Sequence, residues 1–231
     1  MNIATKNYTF ADLTKNMPDR QERAQLQLLY DLASGFEQPN ILELGTQGGV
    51  STTVFLQACQ ERNGRLTSVD INDCSSISDD KNFHFVQSNS TDASYILDQA
   101  PQLRRGIDLL YVDTLHQRQH VHHELRSWWP WLKLGSIVIF DDIDPHVYRP
   151  GQLKDKVGIE INNEQIAALI EAIFRQDMDN LELAFTLGGS GKAVLRKFTP
   201  MGQDLPQVKH VRKRSGIRRV LRKIRTRDWS L

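Results

Sequence analysis

The sequence predicts an α/β protein built on a doubly wound, mostly parallel seven-stranded sheet that ends in an antiparallel hairpin. Three observations carry the prediction. Short apolar runs of strand length alternate with longer segments of helical periodicity. Runs such as Ile41-Leu42 with Leu44, and Ile137-Val138-Ile139-Phe140, are apolar on both faces, as buried parallel strands require. A glycine turn, Gly45-Thr46-Gln47-Gly48-Gly49, joins the first run directly to a helix. In such sheets ligands bind beyond the carboxyl ends of the strands.

The elements follow in order. Met1 to Asn16 is polar and weakly patterned, and reads as a loose arm or cap. Pro18 and Asp19 open a helix whose apolar stripe is Leu26, Leu29, Leu32 and Ala33, ending near Ser34-Gly35. Ile41 to Leu44 is the first strand and Val50 to Arg62 the first crossover helix, which Ser51 or Thr52 can cap. Leu66 to Asp70 is the second strand and His84 to Gln87 the third. Ile107 to Asp113 is the fourth, followed by a helix through Trp128. Leu134-Gly135-Ser136 turns the chain into a fifth strand, Ile137 to Phe140, ending at Asp141-Asp142. A helix marked by Ile166, Leu169, Ile170 and Ile173 precedes the hairpin, Leu181 to Phe185 and Ala193 to Leu195 around Gly188-Gly189-Ser190-Gly191. Residues 1–17 therefore read as an arm, 18–200 as one domain and 201–231 as a basic tail.

With 231 residues, 39% hydrophobic and 25% charged, the chain suits one globular domain with appendages. No apolar run reaches membrane-spanning length and Met1 to Phe10 has no signal-peptide core, so cytoplasmic residence is expected. Cys59 and Cys74 have no metal-like spacing and read as free thiols.

The glycine turn narrows the ligand. It lacks the G-x-x-x-x-G-K-[S/T] pattern of phosphate loops, and Gln47 stands where a dinucleotide fingerprint has its second glycine. What remains is Glu43-x-Gly45-x-x-Gly48-Gly49, followed by a helix start whose free N–H groups favour an anionic or electron-rich ligand group. This resembles motif I of class I S-adenosylmethionine-dependent methyltransferases, above all the O-methyltransferase branches. The resemblance implies a Rossmann-like methyltransferase fold, with Glu43 positioning the methionine amino group and the turn (Gly45, Thr46, Gly48, Gly49, Ser51) packing on the cofactor. Asp70 ends the second strand about 20 residues beyond the glycines, where an acid accepts ribose hydroxyls. In the family pattern Ser90 and Asp92 would edge the adenine ring; either could equally be a helix N-cap.

A second cluster lies at the ends of strands four and five. Three carboxylates converging there, Asp113, Asp141 and Asp142, would raise one another's pKa unless a cation compensates. An all-oxygen set suits Mg²⁺ or another hard divalent ion, which would acidify a chelated hydroxyl. Val112-Asp113-x-x-His116 with Gly135-x-Ile-Val-Ile-Phe-Asp141-Asp142 is similar to the metal-dependent sugar O-methyltransferases of macrolide biosynthesis and the cephalosporin-hydroxylase-like group. The resemblance spans roughly Ile41 to Arg196 and fades at both termini. It assigns Asp113, Asp141 and Asp142 to the metal and His116 to proton removal, so that His116 and Asp113 are the candidate catalytic pair. His120, His122 and His123 read instead as a solvated helix face, and Trp128, Trp129 and Trp131 as packing.

Lys209 to Leu231 holds ten Lys or Arg against one acid, Asp228. Ile217, Val220, Leu221 and Ile224 recur at helical spacing, so a helix there would be amphipathic with a basic opposite face. That suits an anionic membrane surface, which would place the protein at the periphery of the inner membrane. It suits nucleic acid less well, and packing on the rest of the chain, which has 19 basic against 27 acidic residues, or disorder is the plain alternative. The sequence thus points to methylation of a hydroxyl on a sugar, glycan or other small polyhydroxylated acceptor, with a homo-oligomer open. The rivals are a methyltransferase contacting RNA through the tail, and a non-catalytic cofactor-binding subunit.

Overall fold

The computed structural model describes residues 9–17, 19–144 and 157–208. The tail from Lys209 onward, with its membrane and nucleic-acid readings, lies outside the described residues, as does Pro18. A seven-stranded sheet runs β3-β2-β1-β4-β5-β7-β6. Its strands are β1 (Asn40–Leu44), β2 (Arg65–Asp70), β3 (Phe83–Gln87), β4 (Ile107–Val112), β5 (Leu132–Phe140), β6 (Leu181–Thr186) and β7 (Lys192–Lys197). The first five are parallel, and β7 is antiparallel to both β5 and β6. The expected fold class is therefore the observed one.

Alternation along the strands divides the core between two faces. Leu42, Leu44, Leu110, Val112, Val138 and Phe140 pack with α5 (Arg118–Trp128) and α6 (Val157–Gln176). Ile41, Leu66, Leu109, Tyr111, Ile137 and Ile139 pack with α2 (Arg20–Ser34) and α3 (Val50–Arg62). Asp19 caps α2, its carboxylate accepting the N–H groups of Gln21 and Glu22. Part of the amino-terminal arm is ordered as α1 (Phe10–Asn16), closed by a Thr9–Asp12 capping box. Phe10 stacks on Tyr30 at 5.3 Å and Leu13 is buried against the α2–α3 face. Trp128 and Trp129 are core residues, as read from sequence.

Two local readings need correction. The segment Leu134-Gly135-Ser136 is not a turn before the fifth strand but lies inside β5, which begins at Leu132. Gly135 has φ 80°, and the β4–β5 register shifts between Ile107 and Leu109, so an irregularity in the strand carries the turn-like composition. The helix after β1 also starts without the expected Ser51 or Thr52 cap: its N-cap is Gly49, in the left-handed conformation, with no side-chain cap hydrogen bond.

Register sets the functional edge. Leu44 pairs with Val69 on one side and Val112 on the other, and Val112 pairs with Phe140. The residues that follow, Gly45, Asp70, Asp113 and Asp141, therefore emerge at one level. Between β1 and β4 the winding of the sheet reverses, which is where open α/β sheets place their ligand crevice.

Candidate active site

Gly45 and Asp113 meet at this reversal. Gly45 has φ +96°, and a Cβ there would stand 1.9 Å from the Asp113 carbonyl oxygen. Only glycine lets the turn pass β4 so closely. At the next corner Gly49 has φ +75°, and a side chain would strike Ile77 at 2.7 Å. Between them Gln47 holds φ 42°, an uncommon conformation for its residue type. The turn is held by Asp70: its Oδ2 accepts the N–H groups of Thr46 and Gln47, both at 3.0 Å, while Oδ1 accepts Asn72 N–H at 2.9 Å. The acid expected to serve ribose thus also fixes the shape of the turn.

Glu43 is fully buried on the α3 face of β1. Oε1 accepts Ser51 Oγ–H at 2.6 Å, and Oε2 accepts Thr52 Oγ1–H at 2.7 Å and Ser68 Oγ–H at 2.5 Å. Thr46 Oγ1 and Ser68 Oγ share a further bond at 2.7 Å. This explains the missing helix cap: both hydroxyls are spent on the acid. Burial pushes the Glu43 carboxyl up to about 7, against the opposing pull of the three hydroxyls and with help from the Asp113 charge.

The acceptor side is organised by His116. Its Nε2 lies 3.2 Å from Asp113 Oδ1 and 3.5 Å from Asp142 Oδ2. Burial lowers its pKa, but the hydrogen bond it donates to Asp113 and the charges of Asp142, Asp113 and Asp141 outweigh it, so the net direction is up. Asp142 has φ 52°, a second strained residue at this edge.

The three acids do not assemble as the expected metal site. Asp141 Oδ2 accepts Lys192 Nζ–H at 2.5 Å and the Tyr111 hydroxyl, while Oδ1 accepts Ser190 Oγ–H at 2.6 Å and Asp142 N–H at 2.8 Å. Burial opposes ionisation of Asp141, yet the Lys192 charge and these hydrogen bonds hold its pKa below the usual value. Lys192 is only 3% exposed and its Nζ stands 5.7 Å from the centre of the Tyr111 ring. A lysine thus supplies the compensating cation, and the four acceptor sites of Asp141 are filled. Among the described residues no group of three or more His, Cys, Asp or Glu is arranged to hold a metal ion. As placed, the donor set does not fit a three-carboxylate Mg²⁺ site.

The adenine-side residues separate. Asp92 caps the short helix α4 (Ala93–Gln99), accepting Tyr95 N–H at 3.1 Å. Ser90 is buried, with its Oγ 3.1 Å from His120 Nε2. His120 is accordingly not on a solvated face: Nε2 also lies 3.2 Å from Glu124 Oε1. Sequence reasoning missed Lys192, Tyr111, Ser190, Ser68 and Glu124. It also passed over Ile71, 70% exposed directly after Asp70, an apolar surface beside the turn. A cavity of about 670 Å³ lies behind the turn, lined by Gly48, Gly49, Thr53, Gln57 and Ile77, and touches neither Asp70 nor His116.

Comparison with known proteins bears on the fold that holds this arrangement. A methyltransferase domain family matches residues 42–143, which carry the glycine turn, Asp70, Asp113, His116 and Asp141-Asp142. That stretch of the chain is thus similar to methyltransferase domains. Uncharacterized protein R132 of Acanthamoeba polyphaga mimivirus is 27% identical over 157 residues, covering 60% of this chain and 67% of that protein. The MycE methyltransferase of the mycinamycin biosynthetic pathway, solved with Mg and SAH, is similar over 85% of this chain and 55% of its own, with 18% identity and a TM-score of 0.55. The chain thus spans about half the length of MycE. The SAH-bound Podospora anserina methyltransferase PaMTH1 is similar over 81% of this chain and 86% of its own, at 13% identity and a TM-score of 0.57. These likenesses show the class I methyltransferase fold, and the matched residues 42–143 include the strand ends that carry the glycine turn.

Proposed function

We propose that the protein is an O-methyltransferase acting on a hydroxyl of a sugar, glycan or other small polyhydroxylated acceptor. The observation that carries the proposal is His116 Nε2 set between Asp113 and Asp142 at the strand ends beside Gly45. The residues around the turn fit S-adenosylmethionine. Gly48, where a side chain would meet open space, leaves the outer side of the turn bare, and α3 begins with N–H groups that no side chain caps. Glu43 and Asp70 would hold its charged and hydroxylated parts. Bound there, the cofactor supplies a methyl group on an electrophilic sulfonium.

The chain's own contribution is proton handling and orientation. An acceptor hydroxyl entering between Asp113 and Asp142 displaces the His116–Asp113 hydrogen bond and meets Nε2 of the neutral tautomer that carries its proton on Nδ1. The imidazole takes the hydroxyl proton as the oxygen becomes nucleophilic, and the two carboxylates stabilise the imidazolium that results. Methyl transfer otherwise depends on placement more than on covalent help. Likeness to MycE favours a hydroxylated small molecule as acceptor. Lys192 already engages Asp141, so metal dependence would require that pair to open.

The test is calorimetric titration of S-adenosylhomocysteine into wild type and Asp70→Ala, each with Mg²⁺ and with EDTA. Micromolar binding to wild type, at least about tenfold weaker in the variant, is expected, a loss of ~1.4 kcal/mol or more. No binding in any condition would sink the reading. Affinity that needs Mg²⁺ would overturn the placement of Lys192. With the cofactor site established, an acceptor screen among sugars follows.

A further inference from the structure

The strand ends are tied into a ring of hydrogen bonds, and its least expected segment runs through α5. From β1, Thr46 and Gln47 bond to Asp70 of β2, and the Asp70 carbonyl accepts Ser88 N–H at 2.9 Å. Two residues on, Ser90 Oγ contacts His120 Nε2, which contacts Glu124 Oε1. The same Oε1 accepts Thr114 Oγ1–H at 2.6 Å. Thr114 follows Asp113, whose N–H bonds to Leu44 O at 2.9 Å and so returns to β1. Ser90 is further clamped by Trp128 Nε1–H to its carbonyl at 2.7 Å.

We propose that His120 and Glu124 are positioning residues that couple the loop after β3, on the cofactor side, to the loop after β4 that carries His116. The inference rests on the cofactor reading above. Three observations favour coupling over simple scaffolding. Glu124 is fully buried, although carboxylates are seldom buried without a task. Its Oε2 has no hydrogen-bond partner among the described residues, so the acid is an expensive way to fill space. And its Oε1 contacts both His120, which reaches Ser90 after β3, and Thr114, which follows β4. His120 fits the role by position: its Nε2 contacts both Ser90 Oγ and Glu124 Oε1, and the hydrogen bond to Glu124 raises its pKa, though burial opposes this. A neighbour in the cofactor site that orders Ser90 would thereby also fix Thr114 and the turn into His116.

The test uses the full chain and S-adenosylhomocysteine. Glu124→Gln keeps the shape and removes the charge; scaffolding alone predicts unchanged or greater stability with unchanged affinity. Coupling predicts retained folding and about three- to tenfold weaker binding. A double-mutant cycle locates the effect: Ser90→Ala and Thr114→Val should each weaken binding, and the pair should be no weaker than the worse single variant. Additive losses, or wild-type affinity in Glu124→Gln, overturn the proposal while leaving the cofactor reading intact. Should wild type bind no S-adenosylhomocysteine, the cofactor reading fails, and the same cycle on urea unfolding decides the link: non-additive stabilities uphold a physical connection between the loops, additive ones remove it.

Discussion

Glu43→Gln isolates the acid beneath the glycine turn. In the folded protein the Glu43 carboxyl titrates at about 7, against 4.5 in an open chain. A difference of roughly 2.5 units at 1.36 kcal/mol each is about 3 kcal/mol. The folded state binds the proton more tightly than the unfolded one. The contribution is therefore complete below pH 4.5 and is lost as pH rises through 7. Glutamine does not titrate. It also presents two N–H donors where the acid received three hydroxyl donors, so Ser51, Thr52 or Ser68 must reverse, at a loss of about 1 kcal/mol. The variant should be slightly less stable than wild type near pH 5 and more stable by about 2 kcal/mol near pH 8.5. Urea unfolding of both proteins at the two pH values measures this, since other titrating groups cancel in the difference. A stability difference independent of pH would refute the reasoning. Binding should move the opposite way: if Glu43 receives the cofactor's ammonium, the more stable variant binds S-adenosylhomocysteine at least tenfold less tightly at pH 8.5.

Lys192→Met leaves Asp141 charged, 12% exposed and without its ammonium, and should destabilise by about 3 kcal/mol in urea unfolding. Adding Asp141→Asn should restore most of the loss; equal instability of single and double variants would contradict the pairing. His116, followed by NMR, should titrate above 6.5, and lower in Asp142→Asn, where one facing charge is gone. Methyl transfer should then rise with pH through the same value, because the neutral imidazole is the base; a rate falling there would reject His116 in that role. Gly45→Ala should abolish cofactor binding, since its Cβ would overlap the Asp113 carbonyl; calorimetry showing near-normal affinity would mean that the turn and β4 are not so close in solution.

What the sequence made legible follows from which interactions are local. Strand positions came from apolar runs covered on both faces, and the glycine turn from residues adjacent in the chain. Aspartates at strand ends could be read off the ends of the apolar runs, and the register puts Asp70, Asp113 and Asp141 at a common level. The partners were the hidden part. Lys192 meets Asp141 across 51 positions, from a strand whose role in neutralising charge no local pattern announces. Ser51 and Thr52 have the composition of a helix cap, and only the fold shows that a buried acid claims both hydroxyls ahead of the helix start. Gly135 likewise has the composition of a turn while serving a strand irregularity. One miss was avoidable. His120 and Glu124 stand four apart on a helix, the spacing at which side chains meet, and Glu124 falls beside the apolar positions Val121, Leu125 and Trp128. An acid on the buried stripe with a histidine one turn before it is a pair to be explained, whereas the adjacent His122 and His123 are not. The rule that separates them is physical: a charge drawn into a core needs a partner, so the place to look for unannounced site residues is the buried face of each helix that flanks the strand ends.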